Sequence, residues 1–431
     1  MRDTGYFKDK KVTVAGLGRS GLACVKLLYD LGAQVCATDN QDNEAVRLNA
    51  SGIKYKKIKV ELGRHSQEFI GKSDMIVVSP GVPMNSPLLS WAADFKIPVI
   101  SEIELGWMLC PGTVIAVTGS NGKTTVTTLI GRVLEKATAK KVFVCGNIGT
   151  PFCAEVGKIK EGDYVSLEVS SFQLEHIRNF KPKVSLMLNF SANHLDRYRD
   201  LGEYLAAKKR IFINQDESDY LVTNYDDPVL KKLAEESRAG KVYFCAKEGL
   251  DHNQSAVMAA AGILGIDRDL VLGVLRDFKG LQHRMEFVAE INKVKFINDS
   301  KATTADSTLW ALRSLDGGVI LIAGGKDKGV DYALIVKLAP VKIRAVILLG
   351  EAKERIASAL GGALPIHRVT TLTEAVNKAF TLSRPGESVL FSPMCSSFDM
   401  FSSYEERGKA FKDCVFKLLK GQNALCQLKQ S

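Results

Sequence analysis

The sequence predicts an α/β protein with three domains, and three observations support that prediction. The chain has 431 residues, which is more than a single hydrophobic core usually holds together. Apolar runs of strand length alternate with segments of helical spacing along most of the chain, a pattern that is typical of parallel sheets. Polar or glycine-rich turns follow these runs, where α/β proteins bind their ligands. We predict domains at residues 1–102, 103–285 and 286–431.

The composition is that of an ordinary globular protein with a basic surface. Hydrophobic residues make up 46% and charged residues 25% of the chain, and the formal net charge is +10. Lys and Arg are scattered rather than clustered, which favours small anionic substrates over nucleic acids. No apolar stretch approaches the ~20 residues that span a bilayer, and the N-terminus lacks an apolar signal core. We therefore expect a cytoplasmic protein with no membrane contact, whose nine cysteines are reduced thiols.

The first domain begins with a β-α-β unit that has the spacing of a dinucleotide-binding loop. An apolar strand at 11–15 runs into Gly-Leu-Gly-Arg-Ser-Gly at 16–21, a helix follows, and a second strand ends in Asp39. Such a loop brings backbone N–H groups and a helix N-terminus to a diphosphate. This pattern predicts a Rossmann-like domain. Its ligand could be NAD, and the alternative is another diphosphate at the same helix terminus.

The central domain contains a phosphate-binding loop. An apolar strand at 114–117 leads into Thr118-Gly119-Ser120-Asn121-Gly122-Lys123-Thr124-Thr125, and a segment of helical spacing follows. Glycines let backbone N–H groups close around phosphates, while Lys123 would reach the terminal phosphates and the Thr124 hydroxyl would hold magnesium. The loop is shorter than the usual G-x-x-x-x-G-K-[ST]. We predict a P-loop ATPase domain built on a mostly parallel sheet.

Three later strands of the central domain end in polar residues, namely Asn147, Glu168 and His194. The carboxyl ends of parallel strands share one edge of a sheet, so these side chains can converge on the phosphate loop. A carboxylate there would ligate magnesium, although Glu168 could instead be a charge at a helix N-terminus. A lone histidine such as His194 is more often structural. Lys208, on a helical segment at 203–212, could be part of a solvated basic face.

The third domain repeats the pattern of strands followed by polar turns. Strands at 294–297, 318–323 and 388–391 lead into turns that carry Lys301, Lys328 and a serine-rich segment. Two lysines beside glycine-rich turns at strand ends favour an anion site over solvated loop lysines. We predict a second Rossmann-like fold for this C-terminal domain.

Seven motifs together resemble those of the Mur ligases, the ATP-dependent amino-acid ligases of peptidoglycan synthesis. In chain order they are Thr-Gly-Ser-Asn-Gly-Lys-Thr at 118–124, Gly-Asn-Ile-Gly at 146–149, Leu-Glu-Val-Ser-Ser-Phe-Gln-Leu-Glu at 167–175, His-Leu-Asp-Arg-Tyr at 194–198, His-Arg-Met-Glu at 283–286, Asn-Asp-Ser-Lys-Ala-Thr at 298–303 and Ser-Pro-Met-Cys-Ser-Ser-Phe-Asp at 392–399. Each motif alone is weak evidence for the family, but the seven motifs together in this order are specific to it. The short phosphate loop is the form that this family uses.

The resemblance implies a reaction, and it is nearest to the family members that add D-glutamate. ATP would phosphorylate the carboxylate of UDP-N-acetylmuramoyl-L-alanine, and the amine of D-glutamate would attack the acyl phosphate. Two magnesium ions would assist the reaction, and Lys208 would be carbamylated. We expect the protein to be a monomer. The alternatives are a sibling ligase for another amino acid, an NAD-dependent oxidoreductase, and a nucleotide-binding protein without catalysis.

The resemblance also implies residue roles. The expected catalytic residues are Lys123, His194 and Lys208, and the metal ligands would be Thr124, Glu168, His194 and Lys208. ATP would be bound by Gly119, Ser120, Asn121, Gly122, Lys123, Thr124, Thr125, Arg284, Asp299 and Lys301. The UDP substrate, in place of NAD, would be bound by Gly18, Arg19, Ser20, Asp39, Ser79, Pro80, Gly81, Asn147, Ser170 and Gln173. D-glutamate would be bound by Thr303, Lys328, Ser397 and Phe398.

One region departs from the family pattern. A β-rich stretch of some dozens of residues usually precedes a His-Asn motif, but here the strand that ends near Cys245 reaches His252 and Asn253 almost at once. The next asparagine of the family pattern is replaced by Ala256. We therefore expect altered contacts to adenine, with the catalytic motifs intact.

Overall fold

The computed structural model describes residues 4–53, 55, 58–191, 197–247, 249–327, 332–335 and 342–428. Within these ranges the chain is an α/β protein with three sheets. It divides into two compact units, residues 1–278 and 279–431; the first contains two sheets and the second contains the third. The predicted α/β class is confirmed, and the predicted boundaries at 102 and 285 stay predictions.

The first sheet is parallel, with the strand order β3-β2-β1-β4-β5. Its strands are β1 (Lys11–Ala15), β2 (Gln34–Asp39), β3 (Lys59–Leu62), β4 (Met75–Val78) and β5 (Val99–Ser101). Its helices are α1 (Arg19–Asp30), α2 (Glu44–Ser51), α3 (Gln67–Ile70), α4 (Pro87–Asp94) and α5 (Glu102–Leu109). Val12 and Val14 alternate along β1 and pack against α1, as the period of two predicts.

The second sheet is also parallel, with the order β11-β10-β9-β6-β8-β7. Its strands are β6 (Thr113–Thr118), β7 (Val142–Gly146), β8 (Tyr164–Glu168), β9 (Val184–Met187), β10 (Tyr220–Asn224) and β11 (Gly240–Phe244). Its helices are α6 (Lys123–Ala137), α7 (Phe152–Glu155), α8 (Ser171–Leu174), α9 (Leu201–Lys209), α10 (Pro228–Ala234), α11 (His252–Ile263) and α12 (Arg268–Asp277).

Strand β6 is buried on both faces of the second sheet. Ile115 and Val117 pack in the core that includes α6, whereas Val114 and Ala116 pack in the core on the opposite face. A strand covered on both sides must be apolar throughout, which explains the unbroken hydrophobic run before the phosphate loop.

The first and second sheets are joined by a buried carboxylate at the start of α5. Glu104 is 1% exposed and accepts hydrogen bonds from the backbone N–H groups of Arg178, Asn179 and Phe180, at 2.9, 2.8 and 2.9 Å. Three donors compensate the burial of one carboxylate. These bonds hold the segment after α8 against the first turn of α5.

The third sheet is mixed, with the order β12-β13-β17-β14-β15-β16 and an antiparallel edge pair β12–β13. Its strands are β12 (Glu286–Ile291), β13 (Val294–Asn298), β14 (Val319–Gly324), β15 (Ile343–Leu349), β16 (Ile366–Arg368) and β17 (Ser388–Phe391). Its helices are α13 (Ala305–Arg313), α14 (Lys353–Leu360), α15 (Leu372–Leu382) and α16 (Tyr404–Leu428). No helix in the described part of the chain has the length and apolarity that a membrane crossing requires.

Candidate active site

The phosphate loop lies between β6 and α6, at the carboxyl edge of the second sheet. Gly119 and Gly122 have φ angles of 156° and 83°, conformations that other residues rarely adopt. Gly122 directly precedes α6, and a Cβ on it would lie 2.3 Å from Oδ1 of Asn253. Glycine is therefore required at position 122, and the loop leads into a helix N-terminus, the kind of position at which proteins bind anions.

The loop is held in place by residues that follow β9. The side chain of Asn189 accepts from the N–H of Asn121 at 2.8 Å and donates to its carbonyl at 3.1 Å. The Ser120 hydroxyl donates to the carbonyl of Ser191 and accepts from its N–H, at 3.1 and 3.0 Å. These bonds fix the shape of the loop. Asn189 was not among the predicted site residues, although it follows a buried strand in the same way as those that were.

Two lysines converge on one carbonyl of the loop. Lys123 Nζ donates to the carbonyls of Gly119 and Ser120 at 2.8 and 3.0 Å, and Lys208 Nζ donates to the same Gly119 oxygen at 2.8 Å. Lys208 is 1% exposed, and its pKa is lowered far below the ordinary value by burial and by the nearby charge of Lys123. The alternative that Lys208 belongs to a solvated basic face is therefore wrong.

The buried Glu168 pairs with the exposed Asn147 at the ends of β8 and β7. The Asn147 side chain donates to Oε1 of Glu168 at 2.7 Å, and its backbone N–H donates to the carbonyl of Glu168 at 2.9 Å. The other carboxylate oxygen, Oε2, is buried with no hydrogen-bond partner in the described structure. An unpaired buried carboxylate oxygen is costly and suits a cation.

The residues around Glu168 fit magnesium. Register places Glu168 opposite Val117 of β6, and the Thr118 hydroxyl is also buried without a partner in the described ranges. Thr124 is 4% exposed, at the first turn of α6. Within the described residues, which leave out His194, no three His, Cys, Asp or Glu side chains cluster into a metal site. Magnesium usually takes only one or two protein carboxylates together with phosphate and water oxygens, so a smaller ligand set is sufficient.

The short 245–256 region brings α11 against the phosphate loop. Asn253 contacts Gly122, and His252 Nε2 lies 3.1 Å from a carboxylate oxygen of Asp226. Ala256 is fully buried and packs in the core shared with α6. Position 256 therefore serves packing in this chain, while the altered adenine contacts remain a prediction.

The glycine-rich loop of the first domain is closely packed against β4. A Cβ on Gly21 would lie 1.8 Å from the carbonyl oxygen of Gly16, so the first turn of α1 depends on glycine there. The Ser79 hydroxyl donates to that same carbonyl at 2.7 Å. Asp39 accepts from the N–H groups of Leu17 and Gln41, at 2.7 and 2.9 Å. Ser79 and Asp39 thus shape the loop that was predicted to bind a diphosphate.

Two arginines connect this crevice to the central domain. Arg19 Nη1 donates to the carbonyl of Gly149 at 3.3 Å. Arg197 donates to the carbonyls of Pro80 and Val82 at 2.7 and 2.9 Å, and its guanidinium pairs with a carboxylate oxygen of Glu175 at 2.6 Å. The segment around Gly81 is therefore held by the central domain.

The remaining residues predicted to contact the UDP substrate lie at the starts of α8 and α1. Ser170 and Gln173 form a capping box at the start of α8, in which the Gln173 side chain accepts from the Ser170 N–H at 3.0 Å. Gly18 and Ser20 flank the start of α1, and Gly18 is its N-cap. Position 18 has open space around it, because a Cβ there would meet nothing within 4 Å.

In the second unit, Asp299 is buried at the end of β13. It is 7% exposed, accepts from the Ser392 hydroxyl at 2.8 Å and from the Met285 N–H at 3.3 Å. Burial raises its pKa to about 7, against the opposing effect of those hydrogen bonds and of the Arg284 charge. The Lys301 ammonium lies 5.1 Å from the centre of the Tyr404 ring.

Three loops at the carboxyl ends of β13, β17 and β14 are joined by backbone hydrogen bonds. Met394 donates to the carbonyl of Ala302 at 2.9 Å, and Lys326 donates to the carbonyl of Ser396 at 2.9 Å. Thr303 and Ser397, both predicted to bind D-glutamate, thus belong to adjacent loops. Phe398 is 71% exposed on the second of these loops.

Residues that sequence reasoning did not identify support the same loops. Arg407, on α16, is 3% exposed and donates to the carbonyls of Ser300 and Cys395 at 2.8 and 3.0 Å. Nothing in the sequence distinguishes a buried helical arginine from a solvated one. His194 and Lys328 lie outside the described residues, and the roles predicted for them stay predictions.

Three family models match consecutive parts of the chain. The Mur ligase MurD-like N-terminal domain matches residues 10–101, the Mur ligase middle domain matches 117–269, and the Mur ligase glutamate ligase domain matches 283–395. Together they cover most of the sequence. The chain therefore belongs to the Mur ligase family, which confirms the resemblance that the seven motifs indicated.

Curated relatives match nearly end to end. The chain is 39% identical over 446 residues to the UDP-N-acetylmuramoylalanine--D-glutamate ligase of Caldanaerobacter subterraneus subsp. tengcongensis, with 95% of this chain and 99% of that protein covered. It is 41% identical over 444 residues to the ligase of the same name from Geotalea uraniireducens, covering 95% and 98%.

Solved structures share the fold at lower identity. The MurF ligase of Thermotoga maritima, solved in complex with ADP, aligns with a TM-score of 0.58 and 16% identity over 98% of both chains. A pseudomurein peptide ligase type C from Methanothermus fervidus aligns with a TM-score of 0.58 and 19% identity, over 95% of this chain and 100% of that one. These likenesses concern the fold alone, and they confirm the predicted architecture.

Proposed function

We propose that the protein is an ATP-dependent ligase that joins D-glutamate to UDP-N-acetylmuramoyl-L-alanine through an acyl-phosphate intermediate. The observation that carries the reaction class is the convergence of the phosphate loop, Lys208 and the Asn147–Glu168 pair at one sheet edge. The assignment of substrates is supported by the names of relatives that are 39% and 41% identical over nearly the whole chain.

The chemical difficulty is to bring a carboxylate to a triphosphate, since the two anions repel each other. The N–H groups at the start of α6 and the Lys123 ammonium would bind the phosphates and offset part of that charge. Thr124 and Glu168 would hold magnesium, which supplies further charge neutralisation when it is bound. Asn147 fixes Oε1 of Glu168, so that Oε2 is directed to the cation.

Lys208 is proposed to carry a carbamate. A lysine attacks CO₂ only as the neutral amine, and the burial of Lys208 holds its pKa far below the ordinary value. The neutral nitrogen would bond to the carbon of CO₂ and release one proton to solvent, which turns the neutral amine into an anion. That anion, together with His194, would bind the second magnesium ion.

The amino-acid subsite is proposed to lie on the second unit, at the loops after β13, β14 and β17. Thr303, Ser397 and Lys328 offer hydroxyl donors and a cation for the two carboxylates of D-glutamate. Arg284, Asp299 and Lys301 are proposed to contact ATP. We further propose that the protein acts as a monomer in the cytoplasm, with no nucleic-acid or membrane partner.

The test is the release of phosphate from ATP by the purified protein. Release should require both UDP-N-acetylmuramoyl-L-alanine and D-glutamate in a panel of D- and L-amino acids. Turnover that is indifferent to the amino acid would refute the substrate assignment, and preference for another amino acid would assign a sibling activity. Binding of NAD in preference to the UDP substrate would favour an oxidoreductase.

A matched pair of variants tests the phosphate loop. Lys123→Ala should lower kcat by about 10²-fold or more, because it removes charge that stabilises the transition state. Lys140→Ala, which removes an exposed lysine of the same domain, should leave kcat unchanged. Near-normal turnover in the first variant would exclude the proposed role of Lys123.

A further inference from the structure

A polar chain of four side chains lies behind the loops that follow β14 and β17. The Tyr332 hydroxyl donates to Oδ1 of Asp327 at 3.0 Å and lies 3.3 Å from the Cys395 sulfur. Arg355, on α14, donates to the other carboxylate oxygen of Asp327 at 2.7 Å. Tyr332 is 2% exposed and Cys395 is 1% exposed.

The direction of these hydrogen bonds follows from the protonation of the thiol. Burial raises the pKa of Cys395 to about 11, so the thiol keeps its proton at neutral pH. The Cys395 S–H can therefore donate to the Tyr332 oxygen, while the Tyr332 O–H donates to Asp327. These three hydrogen bonds therefore use three different donors.

The chain connects two loops that are already in close contact. Lys326 donates its N–H to the carbonyl of Ser396, and a Cβ on Gly325 would lie 2.4 Å from that carbonyl oxygen. The backbone contact fixes one point of the junction, whereas Tyr332 fixes a second point, between Asp327 and Cys395. Two points of attachment set both the separation and the angle of the loops.

We infer that Tyr332 is a positioning residue for the amino-acid subsite, because its hydroxyl holds the loop at 324–327 at a fixed distance from the loop at 393–397. This inference rests on the proposed function of these loops in binding D-glutamate. A ligand with two carboxylates needs its donors at a separation that matches its own length. The chain through Tyr332 therefore sets the preference for D-glutamate over the shorter D-aspartate.

The decisive variant is Tyr332→Phe, which removes one oxygen and keeps the ring. KM for D-glutamate should rise by about 5- to 20-fold, because the thiol and the Asp327 carboxylate lose their common partner. KM for ATP and for the UDP substrate should stay within about twofold. The ratio of kcat/KM for D-glutamate to that for D-aspartate should fall by a comparable factor.

Two further variants test the chain independently of Tyr332→Phe. Asp327→Asn should raise KM for D-glutamate to a similar extent, and the double variant should show much less than the product of the two effects, since both remove the same link. Cys395→Ser keeps a hydrogen-bond donor and should retain KM within about threefold. Tyr29→Phe, on α1 in the other unit, is the control that alters a partly exposed tyrosine.

The outcomes separate the inference from the proposed function. If wild-type turnover depends on D-glutamate and Tyr332→Phe leaves its KM unchanged, the inference is wrong. Equal increases in all three KM values, together with a lower Tm, would assign Tyr332 a purely structural role, and this result would also overturn the inference. If the wild type depends on another amino acid, the proposed substrate fails, and the inference is decided by whether Tyr332→Phe raises the KM of that amino acid selectively.

Discussion

The Asn147–Glu168 pair gives the sharpest prediction of how this site works. Glu168→Gln keeps the shape of the side chain and removes its charge. In the folded protein Asn147 occupies Oε1 at 2.7 Å, so Oε2 is the oxygen that remains for a cation. In the variant that position is taken by an amide, which can present N–H groups to the metal in place of a lone pair.

The expected magnitude follows from the roles of the two residues. A charge-assisted contact is worth about 1.5–3 kcal/mol, and loss of a residue that orients a metal ligand typically lowers metal affinity by about 10- to 100-fold. Glu168→Gln should therefore raise the magnesium concentration needed for half-maximal turnover and lower turnover itself, each by about 10- to 150-fold. Asn147→Ala, which frees Oε1 but keeps the carboxylate, should cost about 10- to 100-fold and less than Glu168→Gln.

The assay is phosphate release measured as a function of magnesium concentration at saturating ATP. A second reading is thermal unfolding, because magnesium and ATP together should stabilise the wild type by mass action and stabilise Glu168→Gln much less. Glu161→Gln, an exposed carboxylate of the same domain, should behave as wild type in both measurements. Turnover above a tenth of wild type with an unchanged magnesium midpoint in Glu168→Gln would refute the metal role.

Three further predictions follow from the same structure. Arg197→Lys cannot reproduce the contacts of the guanidinium with Pro80, Val82 and Glu175, so it should raise KM for the UDP substrate about tenfold. The control, Arg199→Lys, changes an exposed arginine and should leave that KM unchanged. Equal KM values in the two variants would contradict the role of Arg197. Lys208→Met should lower turnover by about 10²-fold or more and abolish any stimulation by bicarbonate, and persistent stimulation would place the carbamate elsewhere. Burial raises the pKa of Glu102 to about 7, so the folded state binds this proton more tightly than the unfolded state does. The stability that the bound proton contributes is present at pH 4.5 and is lost as the pH rises to about 7. Glu102→Gln should therefore stabilise the protein at pH 8 by up to about 3 kcal/mol but change little at pH 4.5, and equal urea midpoints of variant and wild type at pH 8 would exclude this.

The sequence was informative about the edge of the central sheet because strand burial and loop chemistry are local properties. The apolar run of β6 is unbroken since both faces are covered, and the glycines at 119 and 122 adopt positive φ. Register then aligns the ends of β6, β7 and β8, which brings Glu168 and Asn147 together as predicted. The rule that parallel strands have their carboxyl ends at one edge of the sheet was enough to predict that these residues lie close together.

Sequence reasoning was weaker where a polar side chain is buried by tertiary contacts. Lys208 could also be interpreted as a solvent-exposed side chain, because a lysine near a second lysine on a helix is usually exposed. Only its packing against the phosphate loop shows that it is buried. Arg407 and Tyr332 gave no local signal, since their partners are distant in sequence. Asp39 could be predicted from its spacing as the acid of a dinucleotide-binding pattern, but the backbone N–H groups that donate to it are visible only in the folded loop.

Burial of an ionisable group is not by itself a sign of a site, and Glu102 shows why. Its Oε1 accepts from the Cys153 N–H at 2.7 Å, its Oε2 is buried without a partner in the described structure, and its pKa is raised to about 7. Its unpartnered oxygen resembles that of Glu168, and its raised pKa resembles that of Asp299. Like Asp299, Glu102 directly follows a strand, but here β5 continues at once into α5, which packs against α7, whereas loops follow Glu168 and Asp299. A ligand bound by a loop at a strand end can recover the cost of an unpaired buried carboxylate, but no loop separates β5 from α5 at Glu102. There we expect the gain in stability on neutralisation without a loss of activity.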